Sequence, residues 1–316
     1  MSQKKTIAVI GATGAQGGGL AWAILNDKDS EFSVRAITRN PDSEKAKALA
    51  AAGAEVVSAD LDDVESLKRA FAGAYGVFAV TNFWEHFSPE KELQQAKNIA
   101  QAAKDSGVQH VIWSTLEDTR KFVPLDDNRM PTLMGKYKVP HFDAKGEANE
   151  IFKSLDVPTT FLFTSFYWDN FIHFGMGPKP SDDGKLAFAL PMDDKKLPGI
   201  AAEDIGKCAY GIFKRGPEMI GKSVGIAGDH VSGYQMAEGM TKALGKEINY
   251  AAVPPDVYRS FGFPGAEDLG NMFQFKRDFS EMYIASRDLS ISKSLNPELQ
   301  SFEDWVSKNA SKIPVG

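Results

Sequence analysis

Cysteine is nearly absent from this 316-residue chain: Cys208 stands alone, so no intrachain disulfide can form. That usage fits a reducing compartment. Its neighbours Ile205, Ala209 and Ile212 predict a buried helical thiol rather than a reactive one. Histidine is also scarce. His86, His110, His141, His173 and His230 fall in no H-x-x-x-H or H-E-x-x-H spacing, so no metal site is expected. No run approaches the roughly 18–20 apolar residues of a membrane span. The opening segment has no signal-peptide pattern, because its apolar run is a short strand broken by glycine. Positive charge is in deficit, with 36 Lys and Arg against 42 Asp and Glu, a net charge of −6. This argues against direct nucleic-acid binding or an anionic membrane surface as the main partner. The expectation is a cytoplasmic protein, with the nucleus a second compatible location.

What is present is enough for a packed core, at 43% hydrophobic and 25% charged residues. The most informative stretch is Thr6–Gly17. The apolar run Ile7-Ala8-Val9-Ile10 leads into Gly11-Ala12-Thr13-Gly14-Ala15-Gln16-Gly17, and an apolar helical segment follows. Strand, glycine turn and helix in that order are what a pyrophosphate-binding turn requires. The first glycine makes the turn and the second lets backbone approach phosphate. The third lets helix and strand pack closely. Amide N–H groups and the positive helix end then hold the anion.

The first half alternates strands, at Thr6–Ile10, Ser33–Thr38, Glu55–Ala59, Gly76–Val80 and His110–Ser114, with helices. The helices are expected near Gly18–Asn26, Asp42–Ala52, Asp63–Ala70 and Pro89–Ser106, with Asp42 or Ser43 as a cap. A further helix, Phe142–Leu155, and a strand, Thr159–Phe163, follow. Apolar strands separated by helices imply a parallel sheet covered on both faces. The fold class is therefore α/β: a Rossmann doubly wound parallel sheet over residues 1–170, with a smaller C-terminal α+β lobe over 171–316. Some late segments are expected to return to the sheet, and a cleft to lie between the lobes.

The second strand ends Thr38-Arg39-Asn40-Pro41 with no acid at its tip. An acid there would suit NAD, whereas the Arg39 guanidinium suits a 2′-phosphate, so the expected cofactor is NADP(H). Asn40 adds hydrogen-bonding capacity. Asp60 and Leu61 at the third strand tip are placed to meet adenine, and Thr81, Asn82 and Phe83 at the fourth to meet ribose and phosphate. Short-chain reductases carry a Tyr-x-x-x-Lys pair on one helix face. Here the spacing is His141-Phe142-Asp143-Ala144-Lys145, with Ser114-Thr115 at the fifth strand end. Lys145 keeps the lysine position, while His141 replaces the tyrosine. Two readings stand side by side: a catalytic His141–Lys145 pair, or Lys145 as cofactor clamp with His141 merely lining an open cleft.

The GATGAQG turn, the TRNP strand end, Thr81–Glu85, the segment His141–Glu147 and the late segment Phe261–Leu269 together resemble the NmrA-like family, and within it the branch of the human redox sensor. The resemblance runs from about residue 5 nearly to the C-terminus. It implies an atypical short-chain dehydrogenase fold and cofactor contacts at Gly11, Thr13, Gly14, Ala15, Gln16, Arg39, Asn40, Asp60, Leu61, Thr81, Asn82, Phe83 and Lys145. The segment Tyr167-Trp168-Asp169-Asn170 matches a stretch near the nicotinamide, which adds Tyr167, Trp168 and Asn170, with aromatic core packing the alternative for Trp168. Family members are either NADP(H)-sensing regulators that bind protein partners or NADPH-dependent reductases. The first expectation is the redox-sensing regulator. The rival is a reductase of a small carbonyl, quinone or imine substrate, with His141 and Lys145 catalytic.

Overall fold

The computed structural model describes residues 4–181 and 183–315. Six strands build the centre of the main sheet: β1 (Lys5–Ile10), β2 (Phe32–Thr38), β3 (Glu55–Ser58), β4 (Gly76–Ala79), β5 (His110–Thr115) and β6 (Thr159–Phe163). A late strand, Ser223–Gly225, pairs with β6 and completes seven. The order is Ser223–Gly225, β6, β5, β4, β1, β2, β3, and all pairings are parallel. The chain reverses direction of travel across the sheet between β1 and β4. Ligands of doubly wound sheets bind at that switch point, outside the carboxyl ends of the strands.

Helices α1 (Ala15–Asn26), α2 (Glu44–Ala51), α3 (Val64–Phe71), α4 (Pro89–Asp105) and α5 (Pro140–Ser154) connect these strands. Ser43, rather than Asp42, caps α2 by accepting from the Ala46 N–H. On one face of the sheet, α3, α4 and α5 bury Leu67, Phe71, Ile99 and Phe152 against Val77, Val111 and Trp113. On the other face α1 packs with the helix Ala202–Arg215. Small residues permit the close approach: a Cβ on Gly19 or Gly206 would strike the backbone of the other helix. Cys208 sits in this interface, fully buried, and burial pushes its thiol far up, as expected of an inert cysteine.

The second lobe holds two three-stranded sheets. In one, Lys196–Ile200 lies between Asp229–Ser232 and Phe166–Tyr167; in the other, Leu186–Leu190 lies between Ile248–Ala252 and Lys179–Pro180. The helix Ala266–Asp278 packs in the same core, beside Phe166, Phe171, Trp305 and residues Val139 and Phe142 of the α5 region. The lobes are thus knitted together at α5. That helix carries His141 and Lys145.

Candidate functional site

At the carboxyl ends of β1, β2, β4 and β6 lies a cleft of about 1630 Å³. Such a volume exceeds the roughly 300–1,000 Å³ of an ordinary small-molecule pocket, leaving space for two ligands side by side. One half is polar and built on the glycine turn. Gly11 has φ of +64°, which only glycine adopts freely, and the Gly14 N–H closes the turn onto the Gly11 carbonyl at 2.8 Å. A Cβ on Gly17 would come within 2.5 Å of that same carbonyl oxygen, so the third glycine is the close-packing one. Gly14 is the N-cap of α1 and supplies no side-chain cap, so the positive helix end opens towards the cleft.

Of the residues singled out in the sequence, Gly11, Thr13, Gly14, Ala15, Gln16, Arg39, Asn40, Asp60, Leu61, Thr81, Asn82, Phe83, His141, Lys145, Tyr167 and Asn170 all line this one cleft. Trp168 does not. Its ring is fully buried in the second lobe, with ring centroids 5.5 Å from Phe302 and 6.1 Å from Trp305. Consecutive residues of an extended segment point to opposite sides, so Tyr167 and Trp168 cannot both face the cleft. The expected cofactor contact at Trp168 is therefore replaced by core packing.

The polar groups form three linked sets. At the turn, Ser114 Oγ donates to Gln16 Oε1 at 2.7 Å, and Gln16 Nε2 donates to the Tyr167 hydroxyl at 2.6 Å. Burial pushes the Tyr167 phenol up to about 12, so it remains protonated at neutral pH. Beneath β4, Lys145 Nζ donates to the Thr81 carbonyl at 3.1 Å and to its hydroxyl at 2.7 Å. The ammonium also lies 2.7 Å from Glu92 Oε1. Burial opposes charge on Glu92, but the Lys145 ammonium, with His86 and Thr81, outweighs it and holds the carboxyl at about 2. Lys145 is therefore not a free clamp: it is oriented by a buried carboxylate.

The third set is His141 and Asp268. The His141 ring lies 2.6 Å, Nδ1 to Oδ1, from the carboxylate, whose other oxygen accepts the His141 backbone N–H at 3.2 Å. The residue is only 6% exposed and sits against Trp84, with ring centroids 4.8 Å apart. The expectation that it simply lines an open cleft is corrected: it is a buried, carboxylate-held imidazole at the cleft wall. Asp143, between His141 and Lys145, turns away and accepts from Thr119, Lys138 and Val139 backbone N–H groups. It pins the preceding loop to the start of α5.

Sequence reading had missed Glu92 and Asp268 as site residues. Glu92 carried a usable signal: with Ala96, Ile99 and Ala103 it falls on the helical period of the buried face of α4. Arg39, at the β2 tip, is exposed and engaged by Glu85 at 2.9 Å, an acid that Asn82 also holds. The other half of the cleft is aromatic, with Trp84, Phe87, Phe174, Phe188, Tyr258 and Phe263. Among the described residues no group of His, Cys, Asp and Glu gathers as a metal-holding set, and no helix is long and apolar enough to cross a membrane.

Comparison with known proteins follows the same outline. The profile described as the NmrA-like family matches residues 3–306. The NmrA-like family domain-containing oxidoreductase notA of Aspergillus sp. (strain MF297-2) is 43% identical over 312 residues, covering 91% of this chain and 87% of its own. The corresponding oxidoreductase FrzB of Cladobotryum sp. is 31% identical over 299 residues, covering 88% and 86%. Among solved structures, NmrA, a negative transcriptional regulator in complex with NAD, matches with a TM-score of 0.78 at 25% identity, over 97% of this chain and 95% of that one. Triphenylmethane reductase of Citrobacter sp., complexed with NADP(H), shares the fold with a TM-score of 0.74 at 21% identity, over 96% and 99%.

Proposed function

Because this chain belongs to the NmrA-like family, we propose that it is an NADP(H)-dependent oxidoreductase whose substrate occupies the aromatic half of the cleft. One observation carries the reading. The proton-bearing groups His141, Lys145 and Tyr167 line the same cleft as the phosphate turn, each held by a second polar group. The cradle fits a dinucleotide. The bare N-terminus of α1 and the turn Gly11–Gln16 suit a pyrophosphate, Arg39 a 2′-phosphate, and Asp60 and Leu61 the adenine end. Ser165 Oγ, buried in the cleft wall without a hydrogen-bond partner, is a polar atom left for a ligand.

The reduced dinucleotide supplies a hydride. The chain supplies the rest. Lys145, oriented by Glu92 and Thr81, is placed for ribose hydroxyls. His141 gives its Nδ1–H to Asp268, so Nε2 is the ring nitrogen that faces a ligand. It gives a proton to the reduced substrate from the imidazolium form, which the Asp268 carboxylate stabilises, and the ring is left neutral with Nδ1–H still on Asp268. The aromatic walls favour flat apolar substrates such as aromatic carbonyls, quinones or imines. The relatives' oxidoreductase names support this reading.

A second reading, the NADP(H)-sensing regulator of the redox-sensor branch, draws support from the likeness to NmrA and from His141 in the tyrosine position. There, bound cofactor would favour one arrangement of the cleft loops and so strengthen a protein partner's affinity. A panel of aromatic carbonyls, quinones and imines, assayed for substrate-dependent NADPH oxidation beside direct NADPH titration, separates the two. Turnover at ordinary enzyme rates supports the oxidoreductase. Tight NADPH binding without consumption, together with a protein partner whose affinity changes with NADPH, supports the regulator.

A further inference from the structure

Lys276 plays no part in the arrangement just described, yet it lines the cleft. It lies on the helix Ala266–Asp278, four residues beyond Met272 and eight beyond Asp268. At about 1.5 Å rise per residue, i, i+4 and i+8 form one stripe roughly 12 Å long. The stripe runs from the carboxylate behind His141, through Met272, to the Lys276 amine. Lys276 is 2% exposed, and Nζ lies 5.3 Å from the Phe142 ring centroid, 5.7 Å from Phe273 and 5.5 Å from Tyr283.

The acid whose charge reaches it is already spent. Glu117 receives both terminal nitrogens of the buried Arg287, at 2.7 and 3.0 Å, and acts on Lys276 only through its charge. Lys276 thus has a largely buried side chain whose amine makes no hydrogen bond among the described residues and opens onto the cleft. Burial first, then the Arg287 cation, push it down to about 7, so the amine is poised between its two forms at neutral pH. An amine with no protein acceptor at the wall of an apolar cleft is a donor left for what enters it. In an apolar pocket, a few such groups fix the orientation of the ligand.

We propose that Lys276 is a specificity-determining residue of the cleft: its amine donates a hydrogen bond to an acceptor oxygen, a carbonyl or carboxylate, on a flat aromatic substrate. This rests on the reading of the aromatic half as a small-molecule site. It adds that the site selects for an oxygen, not for apolar area alone. Both protonation states of the amine can donate, and a carboxylate would draw it to the charged form.

The test uses a matched pair of probes, 2-naphthoate and 2-methylnaphthalene, titrated into the full chain and into Lys276→Met and Lys276→Arg by quenching of tryptophan fluorescence. The parent binds both. Lys276→Met weakens 2-naphthoate by about tenfold or more, as expected for one lost hydrogen bond to a charged group, and leaves 2-methylnaphthalene unchanged; Lys276→Arg restores part of the loss. Equal weakening of both probes, or of neither, overturns the assignment while leaving the small-molecule site intact. Failure of either probe to bind the parent at millimolar concentration overturns the reading of the site and the assignment with it. Should Lys276→Met not fold, the parent is methylated with formaldehyde and cyanoborohydride. Protection of Lys276 by 2-naphthoate but not by 2-methylnaphthalene upholds the proposal, and equal protection or none overturns it.

Discussion

His141 Nδ1 and Asp268 Oδ1 lie 2.6 Å apart, joining helix α5 to the helix Ala266–Asp278 across 127 positions of sequence. The contact fixes which imidazole nitrogen is available to a ligand, because Nδ1 is committed to the carboxylate. If His141 is the proton donor, His141→Ala lowers kcat by roughly 10²–10⁴-fold with NADPH affinity unchanged. Asp268→Asn keeps the volume but loses the charge, and is expected to lower kcat by about tenfold or more with the same split. Steady-state kinetics beside NADPH titration read both. A parallel loss of NADPH affinity would make the pair structural.

Arg39 and Glu85 make a second specific forecast. Arg39→Ala should cost NADPH on the order of 1–3 kcal/mol of binding, the range of a charge-assisted contact, and leave NADH nearly untouched. Glu85 holds the guanidinium at 2.9 Å in an exposed pair. Such pairs are worth only about 0.2–1 kcal/mol, so Glu85→Gln should tighten NADPH binding by at most a few fold. Calorimetry with both cofactors checks the signs. Equal parent affinities for NADPH and NADH would remove Arg39 from the 2′-phosphate role.

The glycine turn predicts two different failures. Gly14→Val places branched atoms where backbone meets pyrophosphate, and should nearly abolish binding of either cofactor in a folded protein. Gly17→Ala sets a methyl 2.5 Å from the Gly11 carbonyl oxygen and 2.7 Å from that of Ile10, both rigid backbone. That variant should lose thermal stability as well as binding. Normal NADPH affinity in folded Gly14→Val would make the turn purely structural.

Glu92 gives the protein an acid-sensitive link between α4 and α5. Its folded value of about 2 lies below the 4.5 of a free glutamate. A carboxyl depressed in this way contributes its full stability above about pH 4.5, and that contribution fades as pH falls towards 2. Glu92→Gln should cost roughly 3–5 kcal/mol at neutral pH, because Lys145 is left without its countercharge. The variant should also show a flatter decline in Tm between pH 4.5 and 2 than the parent. Parallel declines would place the acid sensitivity elsewhere.

Much of the nucleotide half was legible because its signals are local. Apolar runs bounded by glycine, and caps such as Ser43, marked most elements to within a residue or two, and α5 begins at Pro140 rather than Phe142. The second lobe was harder. Lys196–Ile200 contains Pro198 and Gly199, both poor strand formers, and becomes a strand only by pairing with Phe166–Tyr167 and Asp229–Ser232. Asp268 and Lys276 read locally as ordinary charged residues of an amphipathic helix. Only the tertiary packing of that helix against α5 turns them towards His141 and the cleft. Trp168 failed for the opposite reason, since matching a stretch of sequence does not say which alternate residue points inward.

The most direct test of the central claim follows the hydride itself. The parent and His141→Ala are incubated with NADPH deuterated at nicotinamide C4, on either face, and an aromatic carbonyl or imine that the parent consumes, because these keep the transferred deuterium in a C–D bond. Deuterium is expected in the reduced product from one face only, at a rate that collapses in His141→Ala while NADPH still binds. Tight NADPH binding with no deuterium transferred to any carbonyl or imine would contradict the central claim.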